Sequence, residues 1–301
     1  MEIKHCALAP ADYFCEVDQD FLFVESAWWS YRDYQASCQA VCKPQMKVII
    51  DNSTHLFGKP LPFKRSIDIA KHLQEFEGSL KIQLILPDVK GNSDVTALYA
   101  ERALGQNQKY LEGLNAEYIG VIQGGDFGEW LDCLEFYEEI GVVHIALPYM
   151  FEQFGDNRGT DEYKSIEFDI AASWRILLKK CDSMPLYGSP INRVSFALWL
   201  KRYSNFKPSI HLLGLRDPAE LVMHVREATG VESVDSSMAY RYADIGVEFS
   251  LNLEKFYQTM KRVQASITGN MGITDELGPN KLYKYWYNAE IIKMYANGEM
   301  L

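Results

Sequence analysis

The sequence predicts one α/β domain folded as a (β/α)8 TIM barrel, on three observations. The chain has 301 residues, a normal length for one such barrel. Eight short apolar runs recur along it, at residues 21–24, 47–50, 82–86, 118–122, 142–147, 185–187, 211–213 and 233–236. Most are rich in Val, Ile, Leu and Phe with little alternation, as strands buried on both faces are. Amphipathic stretches separate them, and that alternation favours a closed barrel over an open doubly wound sheet.

Each intervening stretch reads as a helix. RSIDIAKHLQEFEG follows the second run, DVTALYAERALGQNQKYLEG the third, GEWLDCLEFYEEIG the fourth, SIEFDIAASWRILLKKC the fifth and RVSFALWLKRYS the sixth. After the seventh, DPAELVMHVREATG opens with Asp217 as a cap and Pro218 at the first helical position, and is expected to end at Gly230. No G-x-G-x-x-G follows the early strands, which disfavours a dinucleotide fold. No linker or low-complexity tract breaks the chain. The barrel is expected over about residues 18–265 and a C-terminal helical extension over about 266–301, within one domain spanning 1–301.

Composition narrows the class. Hydrophobic residues make up 48% and charged residues 24%, enough for a sizeable core. No apolar run reaches the length of about 18 residues that a membrane span needs. The N-terminus lacks a basic segment followed by a long apolar one, and the last of six scattered cysteines is Cys181. Reduced thiols in a cytoplasm are therefore expected. A formal net charge of −11 argues against holding nucleic acid by general electrostatics, though not against a local basic face.

In such barrels chemistry gathers where strands end. Asp51 ends the second run, Asp88 follows the third, Gln123, Gly124 and Gly125 follow the fourth, and Asp235 lies in the eighth. Each Asp alone could simply cap the next helix. Together they form a set that is costly to bury unless paired or used. Ligand spacing for a metal, a G-x-S-x-G elbow and a P-loop are all missing from the sequence. A carboxylate nucleophile with a second carboxylate for proton transfer is the equipment of retaining glycosyl chemistry. Asp88 and Gln123 suit the donor and acceptor edge of a guanine-like base, and the two glycines allow close backbone approach. His211 reads as a satisfied core histidine rather than a catalyst, Cys38 and Cys42 as ordinary thiols, and the helical tryptophans as packing.

From about Lys47 to Arg241 the chain resembles the tRNA-guanine transglycosylase superfamily, whose members exchange guanine for a 7-deazaguanine. The motifs VIIDNSTHLFG, GVIQGG, HIALPY, HLLGLRDPAELV and VDSSMAYR occur in the family's order. This resemblance implies that Asp235 is the nucleophile and Asp51 the second carboxylate. It implies Asp88, Gln123, Gly124, Gly125, Leu147 and His55 around the base, His55 standing where the family has a stacking aromatic. Arg241 falls on a nucleic-acid contact, and the family needs no cofactor. The tRNA enzymes' C-terminal zinc site is absent, because no Cys follows Cys181 and no His follows His224. The compact, phage-type 7-deazaguanine DNA transglycosylases are the better likeness. They imply DNA as partner, 7-cyano-7-deazaguanine or a close derivative as entering base, and a monomer or homodimer, in a host cytoplasm where phage-encoded.

A nucleic-acid surface is expected after the eighth strand. Arg241, Lys255, Lys261, Arg262, Lys281, Lys284 and Lys293 are interleaved there with Tyr240, Tyr242, Tyr257, Tyr283, Trp286 and Tyr287, a mixture suited to single strands or a flipped nucleotide. Solvated lysines on an amphipathic helix are the plain alternative. Three other functions fit the same residues: a tRNA enzyme without zinc, a non-catalytic nucleic-acid-binding subunit, and a hydrolase in which water resolves the glycosyl-enzyme.

Overall fold

The computed structural model describes residues 3–8, 18–149, 151, 159–179, 188–215, 217–244, 246–250, 252–253, 255–256, 259 and 279–299. They form an eight-stranded, all-parallel sheet in the order β1-β8-β7-β6-β5-β4-β3-β2, a nearly closed (β/α)8 barrel. Its strands are β1 (Lys4–Ala7), β2 (Leu22–Glu25), β3 (Lys47–Asp51), β4 (Lys81–Ile85), β5 (Ala116–Val121), β6 (His144–Pro148), β7 (Ser209–Leu213) and β8 (Val231–Ser236). Among the described residues no helix is long and apolar enough to cross a membrane.

Seven strands match the apolar runs, and the eighth differs. β1 lies ahead of residue 18, where the sequence pattern starts the barrel, and it pairs with β8. The run at 185–187 lies outside the described residues. Side chains bridge the seam between β1 and β2. Gln19 accepts from Ala7 N (2.9 Å) and donates to Ala7 O (3.2 Å), while Asp20 accepts from His5 N (2.9 Å).

Helices follow the strands: α1 (Arg32–Val41), α2 (Thr54–Phe57), α3 (Phe63–Phe76), α4 (Ser93–Leu111), α5 (Phe127–Glu139), α6 (Asp161–Lys179), α7 (Gly188–Tyr203), α8 (Pro218–Arg226), α9 (Met238–Asp244) and α10 (Pro279–Ala296). Local chemistry starts several of them. The side chains of Asn92, Asp126 and Asp217 accept from the free N–H groups of the first turns of α4, α5 and α8. α8 stops at Arg226, earlier than its pattern predicts, and Gly230 (φ 94°) instead serves the turn into β8. The closing helix α10 is tied into the barrel by Asn288, which bonds Phe249 N (2.7 Å) and Val247 O (2.9 Å).

Alternation along the strands builds two cores. One parity packs against the helices, with Leu22, Val24, Val48, Ile50, Ile82 and Leu84. The other fills the barrel with a small cluster of Cys6, Phe21, Phe23, Ile49, Ile85, Ile119, Val121 and Ala146. Two residues further towards the C-terminal ends, the inner parity reaches Glu25, Asp51, Gln123 and Pro148. The polar mouth is thus the top layer of the barrel filling.

Candidate functional site

A cavity of about 510 Å³ opens at the C-terminal ends of the strands. Glu25, Asp51, Asp88, Gln123, Asp235 and Arg241 all line it, so five of the residues expected from sequence meet in one place. All three aspartates are buried.

Asp235 sits on β8, and its Oδ1 receives two donors: His211 Nε2 at 3.0 Å and Gly214 N at 3.1 Å. Among the described residues no donor meets Oδ2. The carboxylate is therefore held from one side and open on the other. His211 is satisfied, as its sequence reading predicts, yet one of its partners is the candidate nucleophile.

Asp51 ends β3. Its Oδ2 accepts from Ser53 N at 2.7 Å, and its carbonyl accepts from the Ser26 hydroxyl. Ser53 adopts a left-handed conformation (φ 58°) to make this turn, a strained state for a non-glycine residue. Its own hydroxyl accepts from Ala27 N at 3.0 Å, which fixes the loop.

Asp88 is bracketed by two amides. Asn52 Nδ2 donates to Oδ1 at 2.8 Å and Gln123 Nε2 to Oδ2 at 2.7 Å. Gln123 is oriented in turn, since its Oε1 accepts from Gly91 N at 2.9 Å. Burial raises the Asp88 carboxyl above its usual range, the two amides pull it down, and the charge of Asp51 adds to the rise. The array offers an acceptor flanked by fixed amides, suited to the N–H edge of a planar heterocycle.

Other expected residues lie elsewhere. Gly124 and Gly125 pack against α5. Gly124 O accepts from Trp130 Nε1 (3.1 Å), and Gly125 N donates to Glu129 Oε2 (2.6 Å). Leu147 belongs to the outer core, and its carbonyl accepts from Arg193 Nη1 at 3.2 Å. None of these three lines the cavity. Their backbone groups are taken by side chains of the neighbouring helices, Glu129 and Trp130 of α5 and Arg193 of α7. Tyr240 is buried edge-to-face on Tyr285, with ring centroids 6.0 Å apart, and serves packing rather than a surface contact. The His55 side chain, Lys261 and Arg262 lie outside the described residues.

Three of the described cations of the expected basic face have acidic partners. Lys281 pairs with Asp244 (3.0 Å), Lys284 approaches Glu248 (3.8 Å) and Lys293 pairs with Asp20 (3.3 Å). Arg241 is exposed at the cavity rim, and Lys90, which the motifs do not mark, is another exposed cation lining it. Glu25 also escapes motif reading, but it follows Phe23 by two on the inner parity of β2, a signal that could have found it. Arg193 and its buried partner Glu220, 2.6 Å apart, carry no local signal as a pair because they are distant in sequence. Among the described residues no three His, Cys, Asp or Glu side chains converge as a metal site requires.

The arrangement provides one open carboxylate oxygen on Asp235, a second carboxylate, Asp51, in the same cavity, and an oriented amide–carboxylate array at Asp88. Comparison with protein-family models and with curated protein sequences finds no match to this chain.

Proposed function

We propose that this chain is a guanine transglycosylase that replaces guanine in DNA with a 7-deazaguanine, 7-cyano-7-deazaguanine or a close derivative. The observation that carries the reading is Asp235: a buried carboxylate with Oδ1 held by two donors and Oδ2 open, in one cavity with Asp51 and the Asn52–Asp88–Gln123 array. Its volume, about 510 Å³, falls within the range of small-molecule sites, and a flipped purine nucleotide is a ligand of that class.

In this reading Asp235 Oδ2 attacks C1′ of the deoxyribose. The C1′–N9 bond breaks, and its electron pair leaves with guanine. The entering base then attacks C1′ in its turn and restores the Asp235 carboxylate. Asp51 exchanges the proton, which the leaving guanine gains and the entering base loses. Asp88 and Gln123 hold the base edge, and Arg241 contacts the nucleic-acid backbone.

The test is base exchange. Purified protein is incubated with labelled 7-cyano-7-deazaguanine or guanine, with DNA in one series and tRNA in another. Label entering DNA with the wild type and absent with Asp235→Ala is the expected result. Label entering tRNA alone overturns the choice of substrate. Binding of DNA with no exchange in either series replaces the enzyme reading with a binding subunit. Release of guanine without incorporation indicates a hydrolase.

A further inference from the structure

Behind Asp235 a chain of hydrogen bonds runs down the barrel interior. His211 Nε2 lies 3.0 Å from Asp235 Oδ1, and His211 Nδ1 lies 2.8 Å from Ser233 Oγ. Lys47 Nζ, at the opposite end of β3 from Asp51, donates to Ser233 Oγ at 3.3 Å. The imidazole ring is fixed by Phe21, edge-on with centroids 5.7 Å apart, and by Phe23, stacked at 6.1 Å. Every member of this chain lies on the inner parity of its strand.

The chemistry of the partners orders the protons. A carboxylate accepts, so Nε2 must carry the hydrogen that faces Asp235. A neutral imidazole then has a bare Nδ1, to which the Ser233 hydroxyl donates. Ser233 Oγ is left as an acceptor, and the Lys47 ammonium donates to it. Each donor finds an acceptor, and reversing any one bond breaks its neighbour. Burial pushes His211 below its usual value, with Lys47 and Arg193 acting in the same direction and Asp235 opposing them, which agrees with a neutral ring.

We infer that His211 is a positioning residue for the proposed base exchange, locked as the Nε2–H tautomer by Ser233 and Lys47, and that it holds Asp235 Oδ1 so that Oδ2 attacks. This inference rests on Asp235 being the nucleophile. It also assigns His211 a role in the second half of the reaction. When the Asp235–C1′ ester is resolved, the C1′–Oδ2 bond breaks and its electron pair returns to the carboxylate. The His211 N–H and Gly214 N–H at Oδ1 stabilise that returning charge. A donor to a carboxylate makes it a weaker nucleophile and a better leaving group, so resolution of the ester suffers most when the donor is lost.

Two measurements on the full chain test this. Nitrogen-15 NMR of histidine-labelled protein, with the His211 signals assigned by their loss in His211→Gln, reads the tautomer directly. A neutral ring protonated at Nε2 near neutral pH is expected, with Ser233→Ala shifting it towards the Nδ1–H form. A wild-type ring protonated at Nδ1, or at both nitrogens, overturns the inference. Rapid quench with labelled DNA then reads the covalent adduct. With His211→Ala, resolution slows about 10- to 100-fold, the effect of removing one hydrogen bond to a charged group. The adduct accumulates, and His211→Gln, which keeps a donor, restores part of the rate. An unchanged adduct fraction in a folded His211→Ala overturns the inference. Should that variant not fold, Ser233→Ala provides the same comparison with a smaller deletion. A wild type that exchanges no base refutes the proposed reaction instead, and the NMR result still decides the tautomer.

Discussion

Arg193 and Glu220 form an ion pair at 2.6 Å, with side chains 1% and 0% exposed, behind the cavity wall formed by Leu213 and Gly214. The same guanidinium binds the carbonyls of Leu147 (3.2 Å), Leu213 (3.3 Å) and Gly214 (2.9 Å). One buried cation thus ties the end of β6 to the end of β7 and fixes the peptide whose N–H holds Asp235.

Arg193→Met should be strongly destabilising. Among the described residues it leaves Glu220 buried beside only His224, whose Nε2 is 3.7 Å away and beyond hydrogen-bond length. Breaking one side of a buried pair costs about 3–5 kcal/mol. Burial pushes the Glu220 carboxyl up, but Arg193 and His224 more than offset this, and the net effect holds it below its ordinary value. Its stabilising contribution is therefore complete above the unfolded-chain value, about 4.3, and is lost as the pH falls below that towards the folded value. In Arg193→Met burial acts without the Arg193 part of that offset, so the stability gap between the two proteins should narrow on acidification. Urea unfolding of both at neutral pH and near pH 4 checks this, and a gap that widens at low pH contradicts it.

Under the proposed reaction Asp235→Asn abolishes exchange, by at least about 10³-fold as for other nucleophiles. It should do so with little change in melting temperature, because an amide oxygen can still accept from His211 and Gly214. Activity that survives within tenfold of wild type would remove Asp235 from the chemistry.

Much of this was legible in the sequence wherever the signal is local. Apolar runs marked seven strands, and Asp51, Asp88, Gln123 and Asp235 stand at strand ends and meet in one cavity. β1 escaped because four residues, KHCA, carry little pattern, and its pairing with β8 supplies the order. Gly125 and Leu147 lie off the cavity for a different reason. Nearness in sequence to the mouth does not fix which way a backbone group points, and Glu129 and Arg193 take those groups instead. Arg193 itself lies in the apolar stretch RVSFALWL, where only the fold reveals its three carbonyls.

The two amides around Asp88 predict a pH effect. Under the proposed reaction Asp88 must be ionised to accept from a base edge, so binding of the base should fail as the pH falls through its value. Gln123→Met removes one of the hydrogen bonds that oppose the rise caused by burial. The acid limb of the rate profile should move to higher pH, and KM for the entering base should rise about 10- to 100-fold. A limb that stays in place, or moves to lower pH, would show that Asp88 does not govern binding.

Gly124 and Gly230 separate steric from backbone demands. Both have positive φ, at 151° and 94°. A Cβ on Gly124 would come within 2.7 Å of Glu129 Cβ, on the helix that carries Trp130, whereas a Cβ on Gly230 meets nothing within 4 Å. Gly230→Ala thus costs only its backbone strain, about 1 kcal/mol. Gly124→Ala adds overpacking against α5, for a total of about 2–4 kcal/mol, and displaces the carbonyl that receives Trp130 Nε1. Because Gln123 precedes it directly, Gly124→Ala should also weaken base binding, while Gly230→Ala leaves it unchanged. Unfolding curves and KM for both variants, measured side by side, decide whether Gly124 serves the wall of the barrel or the ligand. A large rise in KM without loss of stability would favour the ligand.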